Sequence, residues 1–540
     1  MSARQKEIFQ RNESLLIGAA ALLLFMFGTW DQPFVNFESR FAVFMQEALR
    51  NGLSVFPTSY GENYPDYPAT AFWPSYFIAL FLGHVNKFSA VLPSAIAAAC
   101  TVVLTYKILE PTSKIWARMA VCFELLTPFF VAEARSISLD QMVAAITAWS
   151  FYLVYSAGIG NRRAPIYYLP LLLILGFAIR GPIGLVIPAG VVTIYYALNR
   201  QWRTLFIFGL LAAATLLCSV CALLALAHVS GGAEFVRDVI HMQVVGRMND
   251  AAPTGFFYYF TSSIGNYALV YPVALIALVL IAVQAYTKSI SDDAVPLLLF
   301  LSGWAMVVMI GLSIPETKKI RYILSAIPPI SAIAAYVFID GSNKAAQVFS
   351  KFLLFVFTFL PFFLLLGLFF AHQQAAKKHP EIQVAWLGIV IALFFIQVLA
   401  GIVAIKVNSR EWRAPALAAL AALSLWWVNV FCVGPFNIAL RDNRPFVLQV
   451  EEIRKQNMAP LAFYRITKDG AAIKYIVHLN HDVKPLFFEN LAQIKNAEKP
   501  LYLLMLETTY KQAGNLYALS DKPILRGTFE GEAILLFYVP

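Results

Sequence analysis

Apolar positions in this chain run in long blocks. They show neither the alternation of a half-buried strand nor the stripe of a surface helix. About 20 consecutive apolar residues is what crosses the hydrocarbon core of a bilayer as a helix. Blocks of that kind, bounded by charged or turn residues, fall at roughly 14–30, 89–106, 116–133, 141–158, 165–179, 183–198, 204–228, 265–287, 295–313, 322–340, 352–371, 384–406 and 414–434. The pattern predicts about thirteen membrane helices. The span 165–198 is nearly continuous, but Arg180-Gly181-Pro182 interrupts it, so two helices meeting at a turn are expected. Residues 31–88 form a long polar and aromatic loop after the first helix. From residue 435 the pattern changes. Short β-like runs (PLAFYRI, AIKYIVHL, KPLYLLML, AILLFYV) alternate with polar helical stretches (VLQVEEIRKQ, FENLAQIKNA). The expected fold is mainly α: a polytopic membrane domain over 1–434, with 31–88 as its large first outer loop, followed by a small soluble α/β domain over 435–540.

Composition agrees with lipid as the solvent. Apolar residues make up 59% of the 540 residues and charged residues 13%, with a mean hydropathy of +0.67. Soluble domains carry roughly 25% charge. The net charge of +10 suits cytoplasmic loops next to anionic lipid headgroups. No basic run or recognition motif points to nucleic acid. All five cysteines (Cys100, Cys122, Cys218, Cys221 and Cys432) lie in apolar segments, so no disulfide framework is expected. Cys218 and Cys221 read as packing residues within a helix. MSARQKEIFQRNES precedes the first apolar block without a small-residue cleavage site, which reads as a retained first helix.

With the N-terminus inside, alternate short loops carry Lys107 and Lys114, Arg162 and Arg163, Arg200 and Arg203, Lys344 and Lys351, and Lys406, Arg410 and Arg413. That is the cytoplasmic face by the positive-inside rule. An odd number of helices places the C-terminal domain outside. The outer face still carries Arg135, Arg180, Arg237, Arg247, Lys318, Lys319 and Arg321, and these cations call for an anionic partner.

Ionisable residues near membrane depth are costly and are functional candidates. Glu38 and Arg40 stand two apart after the first helix, as a capping ion pair or as chemistry. Asp66 lies in the Pro-rich turn Tyr64-Pro65-Asp66-Tyr67-Pro68, as a turn residue or a ligand. Asp140 follows Arg135 before the fourth helix, where it either caps that helix or serves a substrate or metal. Arg180-Gly181-Pro182 sets a fixed charge beside bare backbone, which suits phosphate or simply makes a turn. Asp238 and His241 share a helix face, as a solvated pair or two metal ligands. Lys318, Lys319 and Arg321 crowd a helix start, where positive charge opposes the dipole and a phosphate or lipid headgroup would relieve it. No transport path of broken, symmetric helices is evident.

At these residues the order of motifs resembles the GT-C class of membrane glycosyltransferases, and in particular the bacterial aminoarabinose lipid A transferases and the protein mannosyltransferase superfamily. The resemblance rests on Phe37-Glu38-Ser39-Arg40-Phe41-Ala42 where those families show Asp-Glu and then Arg-(Tyr/Phe)-Ala. It continues through Asp66-Tyr67-Pro68-Ala69 with Phe72-Trp73, Leu92-Pro93-Ser94-Ala95, Arg135 with Asp140, Arg180-Gly181-Pro182, and Thr317-Lys318 through Pro328. It implies an inner-membrane enzyme with a periplasmic C-terminal domain. The reaction implied is inverting transfer of a sugar from a polyprenyl-phosphate donor to a lipid, glycan or protein acceptor. Glu38 and Asp140 are then the catalytic candidates, and Tyr67, Arg180, Arg247, Lys318 and Arg321 the donor-phosphate candidates. Asp66, Asp140 and His241 are candidate ligands for a divalent metal, and Arg40 and Arg135 are supporting residues. Two departures matter. The family's first acid, the usual base, is Phe37, and its phosphate-binding Lys is Tyr67. A phenyl ring takes no proton, so the alternative is a non-catalytic binding or assembly protein that keeps the fold.

Overall fold

The computed structural model describes residues 3–66, 68–160, 164–245, 254–286, 294–339, 343–378, 382, 384–512 and 522–540. The chain divides into two compact units. The first is Met1–Phe27, Pro65–Ala71 and Val91–Val433, and the second is Gly28–Tyr64, Phe72–Ala90 and Gly434–Pro540.

The first unit is helical. Among the described residues, eight helices are long and apolar enough to cross a membrane, or ten if two bent pairs each count as one span. Three of the predicted thirteen blocks, 14–30, 165–179 and 183–198, form shorter apolar helices, Asn12–Met26, Ile166–Arg180 and Pro182–Leu198. Lys114–Leu125 and Pro128–Ala134 meet at 73°, and Tyr258–Asn266 and Val270–Tyr286 at 116°. The block 165–198 breaks into Leu169–Arg180 and Pro182–Leu198. Gly181 at the break has φ +60° and ψ −149°, a region that a Cβ disfavours. These two helices also touch backbone to backbone. A Cβ on Gly184 would fall inside van der Waals contact of the Gly176 carbonyl. Glycine at both positions is what lets the turn close and sets where Arg180 stands.

The second unit joins most of the 31–88 loop to the C-terminal tail. The loop folds into the helix α1 (Glu38–Asn51), the hairpin β1 (Thr58–Ser59) and β2 (Glu62–Asn63), and the helix α2 (Trp73–Leu82). Gly52 and Gly83, both at positive φ, terminate the two helices. Phe41, Phe44, Tyr64 and Phe72 pack with ring centroids 5.1–5.7 Å apart. The tail forms a five-stranded sheet from β3 (Leu461–Tyr464), β4 (Leu486–Phe488), β5 (Leu501–Leu506), β6 (Leu525–Phe529) and β7 (Glu532–Val539), in the order β4-β3-β5-β7-β6. The β4-β3-β5 pairs are parallel and the β5-β7-β6 pairs antiparallel. Every residue of β3 is buried, as expected of a central parallel strand.

Candidate active site

Asp140 lies in the first turn of α3 (Leu139–Gly160), where a carboxylate favours the helix dipole. Arg180 ends its own helix, where a cation is favoured. The two meet: Arg180 Nε is 2.7 Å from Asp140 Oδ1, and both side chains are buried. Arg321 Nε approaches the other oxygen of Asp140 at 3.3 Å. The Arg180 guanidinium stands 5.0 Å over the Tyr322 ring. Two guanidiniums thus share one carboxylate. Arg321 is the more open of the two cations, at 18% side-chain exposure against 2%.

The surroundings hold this cluster in place. Tyr267 donates its hydroxyl to Ile320 O at 2.9 Å, and Lys318 Nζ donates to Thr254 O at 2.9 Å. Ser138, just before α3, donates to Glu133 Oε2 at 2.7 Å, and its backbone N–H donates to Ser94 Oγ at 2.9 Å. The Leu92-Pro93-Ser94-Ala95 motif thus acts through a hydrogen bond that seats the start of α3. Asp66 is nearly buried, in the segment Pro65–Ala71 of the same unit. Thr70 in that segment donates its hydroxyl to Ala178 O, two residues before Arg180.

Glu38, expected to be catalytic, belongs to the second unit. It is only 3% exposed and ion-paired with Lys87, itself 6% exposed. A carboxylate so enclosed and neutralised is a poor acceptor for a substrate proton. Lys87 escaped the sequence reading. A lone cation at the start of an apolar helix was the available signal, since such a charge needs a nearby carboxylate. Arg40 donates to Asp469 O at 2.7 Å and lies 5.4 Å over Tyr64, which ties α1 to the loop after β3. Arg50 and Asn51 both bond Asp482. These are positioning contacts within the second unit.

Arg135 is engaged with backbone. Its guanidinium donates to Leu24 O, Phe25 O and Phe27 O at 2.8–2.9 Å and caps the end of the first membrane helix. His241 is exposed on the stretch after the helix Trp202–Ile240. The expected metal set of Asp66, Asp140 and His241 does not fit an ion. Asp140 is taken by two guanidiniums, and among the described residues no three His, Cys, Asp or Glu side chains gather to hold one. Tyr67 and Arg247 lie outside the described residues.

This chain, with its multispan helical unit, resembles the GT-C membrane glycosyltransferases. A profile of the family described as dolichyl-phosphate-mannose-protein mannosyltransferase matches residues 65–226. The undecaprenyl phosphate-alpha-4-amino-4-deoxy-L-arabinose arabinosyl transferase of Aeromonas hydrophila is 23% identical over 408 residues, 72% of each chain. Its namesake from Edwardsiella ictaluri is 27% identical over 332 residues, 57% of this chain and 56% of the relative. Among solved structures, ArnT from Cupriavidus metallidurans in the apo state aligns over 99% of this chain and 98% of its own, with a TM-score of 0.69 at 14% identity. The same protein bound to undecaprenyl phosphate aligns over 97% and 98%, with a TM-score of 0.70 at 14% identity. The fold of this chain is therefore ArnT-like.

Proposed function

We propose that this protein transfers a sugar from a polyprenyl-phosphate donor to an envelope lipid or glycan at the outer face of the bacterial inner membrane. The reading is carried by the Arg180–Asp140–Arg321 cluster, in which two guanidiniums from separate elements converge on one carboxylate. A phosphate that binds there meets two guanidiniums already oriented by one carboxylate. The relatives named for undecaprenyl-phosphate-linked sugar transfer support the choice of donor.

The reaction needs a base and a stabilised leaving group. The acceptor hydroxyl attacks the anomeric carbon as its proton passes to a carboxylate. The carbon–oxygen bond to phosphate breaks, and its electron pair stays on the phosphate oxygen held by Arg180 and Arg321. Attack opposite the leaving phosphate inverts the carbon. With Phe37 in place of the acid and Glu38 bound to Lys87, Asp66 is the base of this proposal. It is a carboxylate in the same unit as the cations, on a segment fastened beside the helix that ends at Arg180. No step is routed through a metal. The C-terminal domain lies on the periplasmic side in this reading.

The test is sugar transfer in membranes carrying the wild type, Asp66→Asn or Arg321→Gln at equal protein levels. Both variants should lose transfer. Phe37, about one-third exposed at the start of α1, favours the second reading of a non-catalytic binder. A wild type without transfer that gains it on Phe37→Asp would select that reading.

A further inference from the structure

The second unit contains a cleft of about 410 Å3 that the proposed reaction does not use. Its size falls in the range of roughly 300–1,000 Å3 typical of small-molecule sites. One wall comes from the loop after the first membrane helix and the turn before Lys87, and the other from residues 444–480. Gln46 Nε2 donates to Val477 O at 2.9 Å and pins the two walls together.

The lining has a specific chemistry. Trp30 offers a half-exposed ring, backed by Phe88 at 4.8 Å between centroids. Asp31, Gln46 and Asn480 supply carboxylate and amide groups. Lys87 and Arg444 supply two cations, each already holding one carboxylate, Glu38 and Asp442 respectively. His478 lines the same cleft, and its Nε2 is a buried nitrogen with no hydrogen-bond partner among the described residues. A buried polar atom without a partner is costly, and a ligand hydroxyl would satisfy it.

We propose that this cleft binds an anionic saccharide. A pyranose presents an apolar C–H face to a tryptophan ring and hydroxyls to amides, carboxylate and imidazole. A phosphate or carboxylate on the sugar meets Lys87 and Arg444. An uncharged sugar adds nothing to the cations beyond their carboxylates Glu38 and Asp442, and a bare phosphate leaves Trp30 and His478 unused. The headgroup of a lipid-borne acceptor and a soluble sugar phosphate share this chemistry. Assigning the occupant as the acceptor rests on the proposed transfer, whereas binding itself does not.

The experiment is calorimetric titration of the full-length protein in phosphatidylcholine nanodiscs with glucose 6-phosphate, glucose and inorganic phosphate. Glucose 6-phosphate should saturate and bind at least about tenfold more tightly than either component. Trp30→Ala and Arg444→Gln should each weaken it by about tenfold, the worth of one stacking or charge-assisted contact. Arg444 is exposed, so its variant keeps the fold and serves as the control for any loss of folding with Trp30→Ala. Arg321→Gln, which damages the donor site, should leave this binding unchanged. A lipid-borne hexose phosphate in the nanodisc that displaces the soluble sugar marks a membrane-carried occupant, and failure to displace marks a soluble one. Both outcomes support the site. No saturation, inorganic phosphate binding as tightly as the sugar phosphate, displacement by phosphatidylglycerol alone, or insensitivity to Trp30→Ala and Arg444→Gln would overturn it.

Discussion

Arg180 Nε lies 2.7 Å from Asp140 Oδ1, and the two side chains are 2% and 7% exposed. Removing one partner of a buried pair strands the other in a poor solvent. Asp140→Ala should therefore lower stability by about 3–5 kcal/mol, read as an earlier thermal unfolding transition in detergent. The double variant Asp140→Leu, Arg180→Met should recover much of that loss without restoring transfer. A single variant with an unchanged transition would mean that the pair does not hold the helix ends.

Arg321 is the open member of the cluster, so its removal should act on the substrate more than on the fold. Arg321→Gln is expected to raise the KM for a polyprenyl-phosphate donor by about tenfold or more, with the unfolding transition nearly unmoved. Arg321→Lys should rescue only part of this, because an ammonium lacks the planar fork.

Glu38 and Lys87 form the second buried pair, and we propose that it serves the fold. Glu38→Gln should destabilise the protein by about 3–5 kcal/mol, and Glu38→Leu combined with Lys87→Met should recover most of it. Double-mutant unfolding measures this directly. Loss of transfer in Glu38→Gln with an unmoved transition would instead return Glu38 to the chemistry.

His478 makes stability depend on pH. Burial is the main cause and outweighs the attraction of Asp442; with a smaller push from Arg444 it pulls the imidazole down to about 4 from a usual 6.5. Above pH 6.5 both folded and unfolded forms are neutral. Between pH 6.5 and 4 the unfolded chain binds the proton and the folded one does not, so stability falls as the pH drops, by at most about 3 kcal/mol. Unfolding of wild type and His478→Gln at pH 7 and pH 5 checks the sign. The variant should lose less on acidification.

Much of the fold was legible because lipid imposes a simple rule: long apolar blocks bounded by charge. The turn at Arg180-Gly181-Pro182 was read correctly from proline and glycine chemistry. The helix count was less legible. Thr127-Pro128 and Leu269 break apolar blocks by bends that hydropathy does not see. At the site, the cations at Arg180 and Arg321 were visible as charge in excess on the wrong face. Their shared carboxylate was not, since Asp140, Arg180 and Arg321 come from three distant elements. The same holds for Arg135, whose partners are backbone carbonyls of the first helix, and for Glu38, whose partner Lys87 lies 49 residues away. Local spacing cannot report such pairings. A further surprise is that the first outer loop and the C-terminal tail form one unit, because Arg40, Gln46, Arg50 and Tyr60 all bond residues beyond 467.

In the proposed reaction a lipid-borne phosphate at Arg180 and Arg321 releases its sugar to an envelope acceptor. Mass spectrometry of envelope glycolipids and glycans from cells with the wild type, Arg321→Gln, Asp66→Asn or no protein tests it most directly. A mass increment of one sugar on an envelope component, present only with the wild type, is the predicted result. Identical spectra from all four, with the protein present in the membrane at equal levels, would contradict it.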